Sequence, residues 1–172
     1  MLSRLPRREF LKTGGALVIG FHFADSAQAQ SRPIAPGPPD ARQIDTWLAI
    51  HADNTATVYI GFAELGQGTS TALPQVAAEE LDLDMSQVKT VGLDTHVTPN
   101  QGGTYSSASI SRGGPHLRTA AAEARAALLD MASKRLNTPV AQLTVAGGVV
   151  SGGGRSVTYG ELVGGKLFNL AF

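Results

Sequence analysis

The feature that most constrains this fold is a short turn, Gly66-Gln67-Gly68, which separates two different hydrophobic patterns. Before it, residues 55–60 alternate in the manner of a β-strand. After it, apolar side chains recur at the three- and four-residue spacing of one helix face, at Leu73, Val76, Ala77 and Leu81. The sequence therefore predicts a strand–turn–helix junction. Free N–H groups and the helix dipole at such a junction can hold an anionic group.

Pro74 limits where the helix can begin. Proline has no N–H to donate, so it fits best within the first turn of a helix. A hydroxyl residue just upstream can accept a hydrogen bond from the exposed N–H groups of that turn. We therefore expect Ser70 or Thr71 to be the N-cap.

The remaining pattern predicts an α+β layout with the order ββαβα(α)ββα. A β-hairpin is expected around Asp53-Asn54, with the helix and a strand following it. A loop of about twenty residues, long for a compact domain, then leads into a long helix. The expected ranges are a hairpin over 46–51 and 55–60, a strand over 87–93, a loop over 94–115, a helix over 116–136, a short helix after Thr138-Pro139, a small hairpin over 143–151, and a last short helix capped by Thr158.

The first residues have the order of an export signal. Arg7-Arg8 precedes Phe10-Leu11-Lys12, an apolar run of eleven residues follows, and Ala27-Gln28-Ala29 offers a small-x-small cleavage site. Such a run is too short to cross a bilayer, which takes about 20 residues. We interpret residues 1–29 as a twin-arginine-type signal, which predicts a periplasmic protein. Residues 30–44 read as a proline-rich linker and 45–172 as the folded module.

Composition and motifs exclude several kinds of chemistry. The chain has no cysteine, so thiolate metal sites, iron–sulfur ligation and a cysteine nucleophile are ruled out. Its net charge of zero gives no indication of nucleic acid binding. There is no complete dinucleotide or Walker motif and no Gly-x-Ser-x-Gly. His51, His96 and His116 are too scattered to indicate a metal site. The sequence thus predicts neither a catalytic residue nor a metal ligand.

Two donor-rich loops remain as candidate binding elements. One covers residues 66–71 and the other 102–112; each is rich in Gly, Ser and Thr and precedes a predicted helix. Together they could surround a heterocycle and its phosphate with amide, hydroxyl and backbone donors. Both could equally be ordinary capped turns, and spacing alone does not separate these interpretations.

A family resemblance bears on this choice. The run from Glu64 through Gly66-Gln67-Gly68 to Leu81, followed by the small-residue loop 107–111, resembles the large subunits of molybdenum hydroxylases, the xanthine dehydrogenase and aldehyde oxidase family. Isoquinoline 1-oxidoreductase β subunits and nicotinate dehydrogenase-like proteins are similar in arrangement. The resemblance implies a molybdenum–pterin cofactor, often the cytosine dinucleotide in that family, and hydroxylation of aldehydes or N-heterocycles with oxygen from water.

The resemblance also implies residue roles. Gln67 would lie beside the molybdenum centre and donate a hydrogen bond to an oxo ligand or the dithiolene end, while the flanking glycines let the backbone approach the pterin. The other loop would contact the phosphate or nucleotide. The implied cofactor-binding residues are Gly66, Gln67, Gly68, Thr69, Ala108, Ser109, Ile110 and Ser111.

The family's glutamate base and most of its substrate pocket would lie beyond position 172. The resemblance therefore implies the N-terminal piece of a larger molybdopterin-binding domain, inactive alone. Its partners would be the rest of the large subunit and a small 2Fe-2S subunit, with a cytochrome c as one candidate electron acceptor. An apolar patch near residues 162–172 should then be exposed. The alternative left open is a freestanding exported α+β binding module without catalysis.

Overall fold

The computed structural model describes residues 47–95, 97–98 and 100–164, together with the backbone of 16–18. The linker, most of the export signal and the last eight residues lie outside the described residues. A four-stranded sheet has the order β1 to β4, with strands at Ala16–Val18 (β1), Leu48–His51 (β2), Ala56–Ile60 (β3) and Val88–Gly92 (β4).

The predicted hairpin is confirmed, and the strand that follows it is parallel rather than antiparallel. β2 pairs antiparallel with β3, and β3 pairs parallel with β4. Helix α1, Thr69–Glu80, makes the crossover between the two parallel strands. Parallel neighbours need such a crossover, since both strands must run in one direction. The Gly66-Gln67-Gly68 turn therefore lies just beyond the carboxyl end of β3, at the edge where ligands meet sheets of this kind.

The second half of the chain consists of one long helix and a small sheet. A π-helical turn, Ser109–Gly113, leads directly into helix α2, Gly114–Leu136. A three-stranded antiparallel sheet follows, with strands at Thr144–Ala146 (β5), Val149–Gly152 (β6) and Arg155–Thr158 (β7), and helix α3, Tyr159–Val163, ends the described chain. Short 3-10 turns at Met85–Gln87 and Val140–Gln142 precede β4 and β5.

One core joins these parts. Helix α2 turns a stripe of small residues inward, where it packs against α1, and alanine side chains allow the two backbones to approach closely. Tyr159 is fully buried, and its hydroxyl donates a 3.1 Å hydrogen bond to the carbonyl oxygen of Leu81. Burial raises the pKa of this phenol, so it stays protonated and keeps that bond. The inward stripe of α2 comprises Leu117, Ala120, Ala121, Ala124, Leu128 and Ala132.

The α+β prediction is confirmed, and several local details were wrong. The N-cap of α1 is Gly68 in the left-handed conformation, not Ser70 or Thr71. Thr138 does not cap a helix, because its hydroxyl donates to the carbonyl of Leu136 and only a 3-10 turn follows. The small hairpin has a third strand, β7, that was missed. Thr158 does cap the last helix, where it forms a reciprocal capping box with Glu161.

The expected apolar patch is absent where the structure describes it. Leu162 and Val163 are buried, since α3 packs against β2 and α2; the remainder of that segment lies outside the described residues. Large apolar side chains are instead exposed beside the Gly66-Gln67-Gly68 turn, namely Leu65 (77% exposed), Tyr105 (62%) and Ile110 (45%). Part of the exposed apolar surface therefore lies at the candidate site.

Candidate functional site

The turn before α1 is organised by a residue that the sequence reasoning did not select, Glu64. One carboxylate oxygen accepts from the backbone N–H groups of Gly66 (2.8 Å) and Gly68 (3.0 Å). The other accepts from the backbone N–H (2.8 Å) and the hydroxyl (2.9 Å) of Ser70. Glu64 therefore caps α1 from four residues before Gly68, which has no side chain to do so.

These four donors explain the acidity of Glu64. Hydrogen bonds from Ser70 and Gly68 stabilise the ionised carboxylate and lower its pKa to about 2. The side chain is exposed, so it remains hydrated while it holds the turn. At neutral pH this helix N-terminus already carries a negative charge that belongs to the chain itself.

The side-chain amide of Gln67 is also directed into its own turn. Its oxygen accepts from the backbone N–H of Leu65 at 2.6 Å, and its nitrogen donates to the Ala63 carbonyl at 2.7 Å and to the Thr69 hydroxyl at 3.0 Å. The two backbone partners fix which end is oxygen and which is nitrogen. Both amide hydrogens are thus used within the turn. Donation to a molybdenum-bound oxo ligand stays a prediction, and it would require one of these bonds to be released.

Two side chains attach the second loop to the first across forty residues of sequence. Gln101 accepts from the N–H of Gly61 (2.8 Å) and donates to the Tyr59 carbonyl (2.9 Å). The Thr104 hydroxyl accepts from the N–H of Ala63 (2.8 Å) and donates to its carbonyl (3.2 Å). These bonds satisfy backbone groups in the last residues of β3 and just beyond its end. They hold the two predicted loops side by side.

The second loop carries backbone strain where it faces the first. Ser106 and Ser107 have φ values of 48° and 58°, a left-handed conformation that non-glycine residues adopt only at a cost. The described residues provide no partner for their backbone N–H groups or hydroxyls. Arg112 lies over the Tyr105 ring, 5.7 Å from its centroid, and adds a positive charge on this side. Unpaired donors beside a cation favour an anionic ligand.

The π-helical turn then buries Ser109, although the sequence reasoning treated it as part of an exposed flexible loop. Ser109 is 4% exposed, yet it lines the space between the loops. Its hydroxyl has no hydrogen-bond partner among the described residues. π-helical turns are often found at functional sites because the extra residue redirects side chains. Here the turn directs Ser109 into the cleft.

Together the two loops enclose a cleft of about 400 Å³. Four of the eight predicted cofactor residues line it: Gln67, Thr69, Ser109 and Ile110. Gly66, Gly68, Ala108 and Ser111 belong to the same two segments but do not line it. Five lining residues were not among the predicted ones, namely Leu65, Thr104, Tyr105, Ser106 and Ser107.

The cleft can bind a ligand but offers no acid or base to act on it. Its lining combines hydroxyl and amide groups with apolar surface from Leu65, Tyr105 and Ile110, and includes no carboxylate, lysine or histidine. Among the described residues, no cluster of His, Cys, Asp or Glu could hold a metal ion. His51 contacts the Thr57 hydroxyl and His116 packs edge-on against Trp47, and neither lines the cleft. The cleft is therefore a candidate binding site.

Comparison with known proteins identifies the family of this chain. The sequence profile described as the molybdopterin cofactor-binding domain matches residues 7–169. The chain belongs to this family. Its cofactor is accordingly a molybdenum–pterin cofactor, as the sequence resemblance implied. Within the described residues, no helix is long and apolar enough to cross a membrane.

Curated relatives agree with this assignment. The chain is 37% identical to a nicotinate dehydrogenase subunit of Pseudomonas putida, over 98% of its own length and 14% of that protein. It is 36% identical to the beta subunit of isoquinoline 1-oxidoreductase from Brevundimonas diminuta, over 93% of this chain and 22% of that one. The chain thus spans less than a quarter of the length of either relative.

Solved structures show the same fold. Quinoline 2-oxidoreductase from Pseudomonas putida 86 aligns with a TM-score of 0.52 at 25% identity, over 67% of this chain and 15% of that one. The Cu,Mo-CO dehydrogenase aligns with a TM-score of 0.57 at 25% identity, over 66% of this chain and 15% of that one. The α+β arrangement described above is therefore that of molybdenum enzymes.

The donor set of the cleft fits such a cofactor. A pterin has a flat polar heterocycle and an anionic phosphate, which need an apolar face, hydroxyl donors and unpaired N–H groups. Tyr105 and Ile110 supply the first, and Ser106, Ser107 and Ser109 supply donors without partners among the described residues. Three residues that position the loops were not predicted from the sequence. Glu64 holds the turn, and Gln101 and Thr104 attach the second loop to the segment before it. The one local signal for the capping role of Glu64 was its position, as an acidic residue four positions before Gly68 at the start of the predicted helix.

Proposed function

We propose that this chain forms the cofactor-holding part of an exported oxidoreductase that hydroxylates an aldehyde or N-heterocycle with oxygen from water. The observation that carries the proposal is the cleft itself, where the second loop presents unpaired hydroxyl and N–H donors beside the Gly66-Gln67-Gly68 turn in a member of the molybdopterin cofactor-binding domain family. The names of the relatives, a nicotinate dehydrogenase and an isoquinoline oxidoreductase, favour N-heterocycles within that class.

In this proposal, the polar and the apolar residues that line the cleft contact different parts of the cofactor. Ser106, Ser107 and Ser109 bind and orient the anionic end, while Tyr105 and Ile110 cover the flat heterocycle and exclude water from it. When bound, the cofactor would supply the redox chemistry: water provides the oxygen, the substrate gives up two electrons, and two protons are released in total, one from the substrate C–H and one from the water. The residues of this cleft supply no proton transfer, so an acid or base must come from another part of the complete enzyme.

The partners follow from the same proposal. The relatives carry the names of enzyme subunits, and the present chain spans 14% and 22% of their lengths. We place the rest of a large subunit over the exposed Leu65, Tyr105 and Ile110, and a small 2Fe-2S subunit as the first electron acceptor, with a cytochrome c as a candidate beyond it. Iron–sulfur clusters are held mainly by cysteine thiolates, and these 172 residues contain no cysteine, so we assign the clusters of this proposal to the small subunit.

Export is supported by the sequence of the N-terminus. Arg7-Arg8, the apolar run and the Ala27-Gln28-Ala29 site form the order of a twin-arginine signal. Fractionation of cells that produce the protein should recover it in the periplasm, and the double change Arg7→Lys and Arg8→Lys should retain it in the cytoplasm. A protein that remains cytoplasmic with both arginines intact would contradict this part of the proposal.

Two serines provide the sharpest test of cofactor binding, because the family resemblance implied the same cofactor-binding role for both. Ser109 lines the cleft and is buried, whereas Ser111 is exposed and does not line it. In protein produced with molybdate, Ser109→Ala should weaken cofactor retention about tenfold, because a hydrogen bond to a charged group is lost. Ser111→Ala should retain as much molybdenum and pterin as the unaltered protein.

The measurement is molybdenum by mass spectrometry together with pterin fluorescence after oxidation, both per mole of polypeptide. Unaltered protein that contains neither would overturn the proposal and favour a freestanding binding module. Equal losses in the two serine variants would show that the cleft seen between the loops is not where the cofactor is held.

A further inference from the structure

Glu64 combines two properties that none of its neighbours shares. It takes four donors of the Gly66-Gln67-Gly68 turn with one carboxylate, at distances of 2.8–3.0 Å. It also places its charge at the N-terminus of α1, where an anionic ligand would otherwise bind most favourably. Three of the backbone N–H groups that made this turn a candidate anion site from sequence, those of Gly66, Gly68 and Ser70, are therefore already occupied.

We propose that Glu64 is a positioning residue that serves as a built-in anion: its carboxylate holds the turn in shape and closes the N–H groups of Gly66, Gly68 and Ser70 to phosphate. With those three donors closed, the anionic end of the ligand is expected at the serine loop, residues 104–112, which is the loop that the family resemblance assigns to the phosphate. The statement about the orientation of the ligand rests on the proposed function, whereas the statement about the turn does not.

The charges around the cleft agree with this direction. On the turn side, a phosphate would meet the Glu64 carboxylate at the donors it needs, and like charges at such distances repel. On the serine side, the N–H groups of Ser106 and Ser107 have no partners among the described residues. Arg112, stacked on Tyr105, adds a positive charge there. The charged residues that flank the two loops therefore differ in sign, negative at the turn and positive beside the serine loop.

The turn also depends on Glu64 for its shape. Gly66 and Gly68 both adopt positive φ, 94° and 80°, and a Cβ at either position would meet nothing within 4 Å. Side-chain hydrogen bonds from Glu64 and Gln67 are what define the turn. With the carboxylate removed, the N–H groups of residues 66, 68 and 70 would open to water.

Amide hydrogen exchange, read by mass spectrometry on the purified cofactor-free protein, tests the turn directly. In Glu64→Ala, exchange in a peptide covering residues 61–72 should accelerate by about tenfold, because charge-assisted hydrogen bonds are lost. Added acetate, a free carboxylate, should restore slow exchange. The isosteric Glu64→Gln should be accelerated less, and it serves in place of Glu64→Ala if that variant does not fold. Glu79→Gln, the same change on an exposed face of α1, should behave as the unaltered protein.

Inorganic phosphate tests which donors are closed. In the unaltered protein, phosphate should slow exchange in a peptide covering residues 104–112 and leave 61–72 unchanged. In Glu64→Ala it should also slow exchange in 61–72, because the donors are then free. Equal protection of 61–72 by phosphate with and without Glu64 would overturn the proposal, as would an unchanged exchange rate in Glu64→Ala.

Cofactor content separates this proposal from the proposed function. Glu64→Gln should lower molybdenum per polypeptide, whereas Glu79→Gln should not. Unaltered protein without molybdenum would refute the proposed function and leave the exchange results to decide the role of Glu64. Normal molybdenum content in Glu64→Gln would refute the part of the present proposal that concerns the ligand.

Discussion

Replacing Gly160 with alanine is expected to destabilise the protein by about 3–5 kcal/mol, at the upper end of the range for single substitutions. A Cβ atom at this position would lie 2.3 Å from the carbonyl oxygen of Ala52 and 2.8 Å from the backbone nitrogen of Asn54. Both neighbours are backbone atoms, which cannot rotate aside as a side chain can. The first turn of α3 would have to leave the β2–β3 hairpin.

That contact joins three parts of the fold. The Asn54 side chain accepts from the N–H of Gly160 at 3.2 Å and donates to the carbonyl of Gly147 at 3.1 Å. Gly147 also accepts from Gln87, beside β4. Moving α3 would thus break hydrogen bonds to two sheets and expose Tyr159, which is fully buried.

Denaturant unfolding followed by circular dichroism measures this loss. Gly92→Ala is the matched control, because a Cβ there would meet only the Ile60 carbonyl oxygen at 4.0 Å, an ordinary contact. We expect that control to stay within about 1 kcal/mol of the unaltered protein. A loss below about 1 kcal/mol for Gly160→Ala would show that the hairpin and α3 separate readily, contrary to the packing described.

Elements fixed by neighbouring residues could be predicted from the sequence. The β2–β3 hairpin follows from two alternating runs around Asp53-Asn54, and α3 from the local capping box of Thr158 and Glu161. Family membership was likewise carried by short runs of sequence around Gly66-Gln67-Gly68 and residues 107–111, and the profile match confirms it. In each case the information lies within a few residues.

Contacts between distant residues could not be predicted. Nothing local to Gln101 or Thr104 shows that they bond to the backbone of residues 59–63, forty positions earlier. The parallel pairing of β3 with β4 likewise depends on two segments that are far apart in the sequence. Even the N-cap of α1 was wrong, because the hydroxyl of Ser70 donates to Glu64 instead of accepting from the helix. Because contacts between distant residues shape the cleft, only half of the predicted cofactor residues line it.

Replacing Gly113 with alanine should distort the cleft and deprive the protein of its cofactor. Gly113 ends the π-helical turn at right-handed angles, φ −66° and ψ −41°, so alanine meets no backbone penalty there. Its Cβ would, however, lie 2.4 Å from Cε2 and 3.0 Å from Cζ of Phe62, a ring only 2% exposed. Overpacking of this kind costs about 1–3 kcal/mol.

The relief of that clash must move one wall of the cleft. Phe62 directly precedes Ala63, whose backbone carbonyl accepts from Gln67 and Thr104. Gly113 belongs to the turn that places Ser109. A shift of either partner separates the loops, so molybdenum per polypeptide should fall by about tenfold for a loss of 1.4 kcal/mol in binding. Metal analysis of the purified variant measures this, with circular dichroism to show that the fold persists.

Gly114→Ala is the control, one residue further along. Gly114 also has right-handed angles, φ −57° and ψ −54°, but a Cβ there meets nothing within 4 Å. Alanine in a helix is favoured over glycine by roughly 0.5–1 kcal/mol, so this variant should be at least as stable as the unaltered protein and keep its molybdenum. Since the two glycines share backbone conformation and differ in what a methyl group would touch, similar molybdenum contents in both variants would mean that the Phe62 contact does not set the width of the cleft.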